Sequence, residues 1–345
     1  MNVLLTHERF APDFGGGGEY VVLETARGLI KRGVNVRVLT TGDPANTSYE
    51  GIPTTRLPIT RYRFNAAVRD IAKNARDTDL IQTFTYHAAF PSLAAARWTN
   101  KPIVCLILGL FQDAWKDMKQ GPSGRFRIGY ERFLLRRGFD RFIFISPYSK
   151  DIGVSLGAPA DRSVVNCPGI ELENYSASTH KEDVVLFVGK LDVRKGVNDI
   201  LEAARALPNV RFEMYGWGEN MSDLRAQATS NVTFTEFQRG APLADAFARS
   251  RIFVLPTRAE TFGIALVEAM ASGCAVISTI PLEFEGVRLQ PGDQQGLVEG
   301  IRRLWDDRNE TARMGRRNAE LAQSYTWDRF TDSLLNTYEE LLVGR

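Results

Sequence analysis

Apolar residues along the chain fall into short continuous runs, separated by stretches whose apolar positions recur at helical spacing. Asn2–Thr6 reads as a strand, a glycine-rich loop follows, and Tyr20–Lys31 reads as a helix closed by Gly33. Val34–Thr40 is the next predicted strand, and Leu80–Thr83, Pro102–Ile107 and Phe142–Ile145 continue the series, each approached by a helical stretch. Apolar runs alternating with helices predict a parallel sheet covered on both faces. Val164–Tyr175, which contains Pro168 and Gly169, reads as a linker.

The pattern then restarts. Val184–Val188 is a predicted strand ending at Gly189, Val197–Ala206 a helix, and Val210–Tyr215 a strand ending at Gly216. A short strand beginning at Thr233, a helix Leu243–Ser250, a strand Ile252–Pro256, a helix Gly263–Ser272 and a strand Ala275–Ser278 follow. The last segment, Trp327–Val343, places Phe330, Leu334, Leu335, Tyr338, Leu341 and Leu342 at helical spacing, and no strand comes after it. The fold class predicted is α/β, with two Rossmann-like, doubly wound parallel-sheet domains. Such sheets bind ligands at the carboxyl ends of their strands, here facing a cleft between domains.

Composition narrows this picture. The 345 residues, 44% apolar and 24% charged, suit two globular domains. No apolar run reaches eighteen residues, and the start Met1-Asn-Val-Leu-Leu-Thr-His-Glu lacks the basic-then-apolar order of a signal peptide, so a cytoplasmic protein is expected. Cys105, Cys167 and Cys274 are odd in number, far apart and outside CxxC spacing, which predicts free thiols rather than a disulfide framework or zinc site. The net charge of +2 conceals an asymmetry. Residues 1–165 carry 23 Lys and Arg against 15 Asp and Glu, whereas the remainder carries 20 against 26. The first part is therefore expected to meet something anionic.

Three stretches carry candidate chemistry. In Pro256-Thr-Arg-Ala-Glu260-Thr-Phe-Gly263-Ile-Ala-Leu-Val-Glu268, a strand end and a glycine turn lead into a helix. Its free N–H groups can hold anionic oxygens, and Glu268 can accept hydrogen bonds from vicinal hydroxyls. An ordinary helix with an acidic start reads equally well. Val188-Gly189-Lys190-Leu-Asp-Val-Arg-Lys195-Gly196 places two lysines after a strand, suited to a diphosphate or simply to a solvated basic loop. Phe14-Gly-Gly-Gly-Gly18-Glu19 allows close backbone approach to phosphate or sugar, or serves as a flexible entry loop. It matches neither GxGxxG nor a P-loop.

These stretches together resemble the GT-B-fold retaining glycosyltransferases of the glycosyltransferase family 4 type. Glu260 and Glu268 match that family's E-x7-E signature, and Gly189, Lys190, Lys195 and Gly196 match its Gly-Arg-x4-Lys-Gly element, with lysine replacing arginine. Gly16, Gly17 and Glu19 match its amino-terminal loop, while Ser146-Pro-Tyr-Ser-Lys150 and Pro168-Gly-Ile resemble the approach to its linker. The resemblance implies an acceptor-side domain over residues 1–165 that is joined by the closing helix 327–345, and a donor-side domain over 166–326. It implies a nucleotide-sugar donor of UDP or GDP type, a hydroxyl acceptor that is lipid-linked in one reading, retention of anomeric configuration and no metal or other cofactor. Glu268 would hold the donor ribose, and Glu260 with Phe262, Gly263 and Ile264 would meet the sugar. Lys190 and Lys195 would neutralise the diphosphate beside Gly16, Gly17 and Gly189, and the base would lie near Phe237 and Gln238. Glu260, Lys195, Lys190 and His87 are the catalytic candidates.

The acceptor side departs from the family pattern. A histidine common after the fourth strand falls on Phe84 here, with His87 nearby as either a site residue or a loop histidine, and Leu108-Gly109 replaces His-Gly. Asn46–Arg63 and Phe111–Arg127 are expected to shape the acceptor pocket. Asp77-Thr-Asp79 spells a metal-binding DxD, but it precedes its strand and reads as a solvated turn. Arg125–Arg137 interleaves arginines with aromatics, which suits either docking on an anionic membrane surface or an amphipathic surface helix. No nucleic-acid motif accompanies the charge. The alternatives are a nucleotide-sugar epimerase or hydrolase on the same fold, disfavoured by only three histidines, and a non-catalytic nucleotide-sugar-binding partner subunit.

Overall fold

The computed structural model describes residues 1–13, 16–118, 122–178, 180–218 and 220–343. Phe14 and Gly15 of the glycine loop lie outside the described residues. The chain forms two compact units. One comprises Met1–Gln112, Arg125–Pro168 and Trp327–Arg345, and the other Asp113–Gly124 and Gly169–Thr326.

The first unit holds β1 (Asn2–Thr6), β2 (Asn35–Thr41), β3 (Ser48–Tyr49), β4 (Ile52–Leu57), β5 (Leu80–Phe84), β6 (Ile103–Ile107), β7 (Arg141–Phe144) and β8 (Ser163–Val165). Their order in the sheet is β3-β4-β2-β1-β5-β6-β7-β8. All neighbours are parallel except β3 and β4. Chain order reverses between β1 and β5, where Thr6 lies beside Thr83. The central strands are buried along their whole length because helices cover both faces, which is why they read as unbroken apolar runs.

Two stretches expected to be irregular contain strands. Within Asn46–Arg63, β3 and β4 form a short hairpin, and β4 also joins the sheet beside β2. Pro53 and the threonines break the apolar run that would have announced β4. Val164–Val165, expected in the linker, belong to β8, an edge strand too short to show a period.

The helix Trp327–Val343 packs within this first unit. Gly28 admits it closely, since a Cβ there would lie 2.1 Å from Thr331 Oγ1. Arg32 pairs with Asp332 at 2.5 Å and with Asp328 at 3.1 Å, and Asn166 Nδ2 donates to Phe330 O at 2.9 Å. The buried Tyr338 hydroxyl donates to Gln82 Oε1.

The second unit holds β9 (Glu182–Lys190), β10 (Phe212–Trp217), β11 (Val232–Glu236), β12 (Ser250–Leu255), β13 (Ala275–Ser278) and β14 (Gly286–Arg288). The order β11-β10-β9-β12-β13-β14 is parallel throughout and reverses between β9 and β12. Where the chain enters and leaves this unit, Ile170 N–H donates to Tyr325 O at 3.0 Å. The three cysteines are free. Burial raises all three thiols, Cys167 to about 11.

The carboxyl ends of β9 and β10 approach closely because both carry glycine. A Cβ on Gly216 would lie 2.1 Å from Gly189 O, a contact that only separation of the two strands relieves. Gly216→Ala is therefore expected to destabilise the protein by about 1–3 kcal/mol. Chemical denaturation measures this, and an unchanged midpoint would show that the strand ends can spread freely.

Candidate active site

In the second unit, two strand-end loops meet at the point where chain order reverses, the position at which open α/β sheets bind ligands. After β9, Asp192 Oδ1 accepts the Lys195 N–H at 3.2 Å and closes a single 3-10 turn, Val193–Lys195. Gly196 follows at φ 75°, where a Cβ would lie 2.2 Å from Pro256 O. The loop after β12 is tied to the same turn. Arg258 N–H and the Thr257 hydroxyl donate to Arg194 O at 2.7 and 3.0 Å. Arg258 also grips Asp199 at 2.7 and 3.0 Å.

Across this interlock Lys195 Nζ donates to Glu260 Oε2, and Thr261 N–H donates to Oε1 at 3.2 Å. Burial raises the Glu260 carboxyl. The charges of Lys195 and Arg194 and these hydrogen bonds outweigh it, holding the group below the ordinary carboxylate range. Lys190 instead faces Asp192 at 4.0 Å and is nearly half exposed. The two lysines therefore have different surroundings: Lys195 belongs to a shielded ion pair, Lys190 to a wet one.

Gly263, at φ 80°, starts the helix Ile264–Ala271 without a side-chain cap, so its first N–H groups face the loop. Phe262 points inward, 1% exposed, and packs against Tyr325. The helix is apolar on nearly every side, so Glu268 is carried into the interior with Leu266, Val267, Ala269 and Met270. Its Oε1 accepts the Tyr175 hydroxyl at 2.8 Å. Burial pushes this carboxyl above the ordinary range; Tyr175 and Arg239 oppose the rise and Glu171 adds to it. Phe237 stacks tilted on Trp217 at 4.6 Å beneath the Arg239 guanidinium, and Gln238 O accepts the Tyr215 hydroxyl at 3.0 Å.

In the first unit, Gly16 precedes the helix Gly17–Lys31, whose start likewise has no side-chain cap. Phe84, the position where the resemblance expects histidine, is fully buried at the end of β5. His87 lies three residues on, half-buried, with its ring edge-on to Tyr62 at 5.4 Å and Nδ1 2.9 Å from Asn65 Nδ2. Burial lowers its pKa, as do the charges of Arg127, Arg61 and His7, against the opposing charge of Glu8. His7 and Glu8, directly after β1, are buried beside it; among the described residues Glu8 Oε2 has no hydrogen-bond partner, with His7 Nε2 4.0 Å away. Glu131 anchors the loop after β6 by accepting the Phe111 and Gln112 N–H groups at 3.0 and 3.1 Å.

Several of these residues escaped the sequence reading. Tyr175 lay in the presumed linker and reaches Glu268 across 93 residues of chain, a pairing no local pattern announces. His7, Glu8 and Asn65 carry no spacing signal either; only the position of His7 and Glu8 after the first strand could have marked them. Asp77 and Asp79 are exposed at the amino end of β5, and Asp79 Oδ2 accepts the Asn2 N–H at 2.7 Å. Among the described residues, no group of three or more His, Cys, Asp or Glu could hold a metal ion, and no helix is long and apolar enough to cross a membrane.

The two carboxylates should affect stability in opposite senses. Glu260 has a lowered folded pKa, so its stabilising contribution is full above the unfolded carboxylate pKa and lost as pH falls through the folded one. Glu268 has a raised folded pKa, so its ionisation weakens the fold as pH rises from the unfolded value through the folded one. Glu260→Gln is expected to lower the thermal midpoint at pH 7, leaving Lys195 half-buried beside a neutral amide. Glu268→Gln should leave it unchanged or raise it. Thermal unfolding of both variants from pH 5 to 8 checks the pair, and equal shifts would contradict the assignment.

Comparison with known proteins accords with this architecture. Residues 15–174 match the family model "Glycosyltransferase Family 4", and residues 182–307 match "Glycosyl transferases group 1". The chain is similar to the O-antigen chain mannosyltransferase C of Escherichia coli, 24% identical over 379 aligned positions that cover 100% of both chains. Among solved structures it is similar to sucrose-phosphate synthase from Thermosynechococcus elongatus, with TM-score 0.85, 20% identity and 100% of both chains covered. Anabaena HepE in complex with UDP-glucose superposes with TM-score 0.79 and 20% identity, over 99% of this chain and 100% of that one. With both domain models matched in order and both sheets present, the chain belongs to the GT-B glycosyltransferases of family 4, glycosyl transferases group 1.

Proposed function

We propose that this glycosyltransferase moves a sugar from a nucleoside-diphosphate donor, of UDP or GDP type, to a hydroxyl acceptor with retention of anomeric configuration and without a metal. The observation that carries the reading is the juxtaposition of Lys195 and Glu260 before the uncapped start of Ile264–Ala271, with Glu268 on that same helix. A departing diphosphate develops negative charge, and fixed cations and helix N–H groups stabilise it. Lys195 and Lys190 supply the cations and Ile264 the first amide of the helix, beside the backbones of Gly189 and Gly263. In the first unit, the helix that Gly16 and Gly17 begin is likewise uncapped and is a further candidate for binding an anion. Glu268 receives the ribose hydroxyls, Glu260 the sugar hydroxyls, and Phe237 with Gln238 the base. The UDP-glucose held by the Anabaena neighbour supports a uridine donor as the first to test.

The arrangement leaves charge compensation to lysines and backbone amides. The Asp77-Thr-Asp79 turn, with both carboxylates exposed, stands at the amino end of β5, away from the strand ends that bind ligands. In the first unit, His87 is the candidate acceptor-side residue. The acceptor is a hydroxyl of a growing polysaccharide, glycolipid or glycoconjugate.

Surface aromatics favour a lipid-linked acceptor. Phe126 is 73% and Trp98 65% exposed, and Phe90 packs on Phe133 at 5.7 Å with the Arg137 guanidinium 3.8 Å above the latter ring. Arg97, Arg125, Arg132 and Arg136 are exposed on the helices Ala89–Thr99 and Pro122–Leu135 that carry these aromatics, or just beyond the second. In this reading a basic, aromatic face docks on an anionic membrane surface on the cytoplasmic side.

A thermal-shift panel of nucleotide sugars, followed by NMR of the product's anomeric configuration, tests the core of the proposal. Transfer is expected to survive EDTA. In folded protein, Glu268→Ala should weaken donor binding about tenfold or more for any sugar, whereas Glu260→Ala should mainly lower kcat. Loss of transfer in EDTA with recovery in magnesium, inversion, or unchanged donor affinity in Glu268→Ala would each refute its part. Liposome co-sedimentation tests the membrane reading: binding should be stronger with anionic than neutral vesicles and fall in Phe126→Ser/Trp98→Ser, and equal binding to both vesicle types would refute it.

A further inference from the structure

The carboxylate of Glu268 is almost wholly interior, 7% exposed, yet among the described residues it accepts a single hydrogen bond, from Tyr175 at 2.8 Å. A carboxylate has about four acceptor sites, and an interior one left short of donors costs free energy. One oxygen, Oε1, is fixed by the phenol. Oε2 accepts no hydrogen bond from the described residues. Tyr175 itself is held at both ends. Its N–H donates to Leu172 O at 3.0 Å, ending the turn Leu172–Asn174, and its ring meets the fully buried Phe247 edge-on at 6.0 Å. The hydroxyl therefore stands at the tip of an immobilised ring and sets the rotation of the carboxylate it touches.

We propose that Tyr175 is a positioning residue for nucleotide binding, orienting Glu268 so that the carboxylate presents acceptor sites to the cis-diol of the donor ribose. The inference rests on the donor-binding reading above. A ribose brings two vicinal O–H donors, and a carboxylate of fixed rotation can accept both. Without the phenol the carboxylate can turn away or take up a proton, and a carboxylic acid spends one oxygen as a donor.

The ionisable groups that act on Glu268 are Tyr175, Arg239 and Glu171. Burial raises the carboxyl, and the Tyr175 hydrogen bond is the foremost influence holding it down, followed by Arg239. Removing the phenolic hydroxyl raises it further. The acid limb of nucleotide binding then moves to higher pH, because binding uses the ionised form.

The test is isothermal titration of wild type and Tyr175→Phe with UDP, GDP and the 2′,3′-dideoxy forms of both, between pH 5.5 and 8. Tyr175→Phe is expected to weaken UDP or GDP about tenfold at pH 7, to shift the acid limb upward, and to leave dideoxynucleotide affinity unchanged. Adding it to Glu268→Gln should cost nothing more. Equal loss for ribose and dideoxyribose forms would show a merely structural tyrosine and overturn the proposal, as would unchanged affinity for the ribose forms. Wild type that binds neither UDP nor GDP would overturn the donor reading itself, and this inference with it.

Discussion

The second unit depends on one largely shielded ion pair, Lys195 with Glu260, and on the backbone contact that makes it possible. Each charge alone would cost roughly several kcal/mol to remove from water. Together they are tolerated because Arg194 adds a second positive charge and Thr261 N–H a further donor. Geometry comes from glycine. Only a residue without Cβ lets the chain pass Pro256 O at the left-handed angle of Gly196. Thr257 and Arg258 then lock the second loop onto the first. The loops that end β9 and β12 thus behave as one rigid body, and the lysine and glutamate are preorganised before any ligand arrives.

That rigidity explains why two glutamates eight positions apart have opposite electrostatics. Glu260 precedes the helix, where loop amides and cations reach it and hold its carboxyl below the ordinary range. Glu268 lies past the first turn of a helix whose other residues are apolar; among the described residues no cation forms an ion pair with it, and burial outweighs the charge of Arg239. A carboxylate in that position gains little for the fold; its placement serves whatever donates hydrogen bonds to it. The same sequence motif therefore contains one group that secures the loop and one that the fold carries at a cost.

Much of this was legible in the sequence, for definite reasons. The strands buried on both faces appear as unbroken apolar runs, so β9, β12 and β13 were recognisable, as was the helix Val197–Ala206 with Gly196 before it. The edge elements were not. β4 carries Pro53 and alternates, and β8 and β14 have three residues each, too few for any period. At the site, the residues that a motif places in one stretch were found, whereas their partners were not. Tyr175 meets Glu268, and Asp199 meets Arg258, across intervals of 93 and 59 residues, and folding alone creates those neighbours. The two lysines were read as equivalent because spacing cannot show which of them has a carboxylate waiting.

The first unit follows the same logic with a different residue. Asn65 Nδ2 lies 2.9 Å from Tyr62 O as well as from His87 Nδ1. A carbonyl oxygen can only accept, so the Asn65 atom is the amide nitrogen, and its second hydrogen goes to His87. Nδ1 of His87 is then the acceptor, and the proton of the neutral ring resides on Nε2. Burial and nearby positive charge keep the ring neutral. His87 thus presents a hydrogen-bond donor rather than a base. That suits a residue that donates to a hydroxyl oxygen. Asn65 and Tyr62 together hold the ring, the first at Nδ1 and the second edge-on at 5.4 Å.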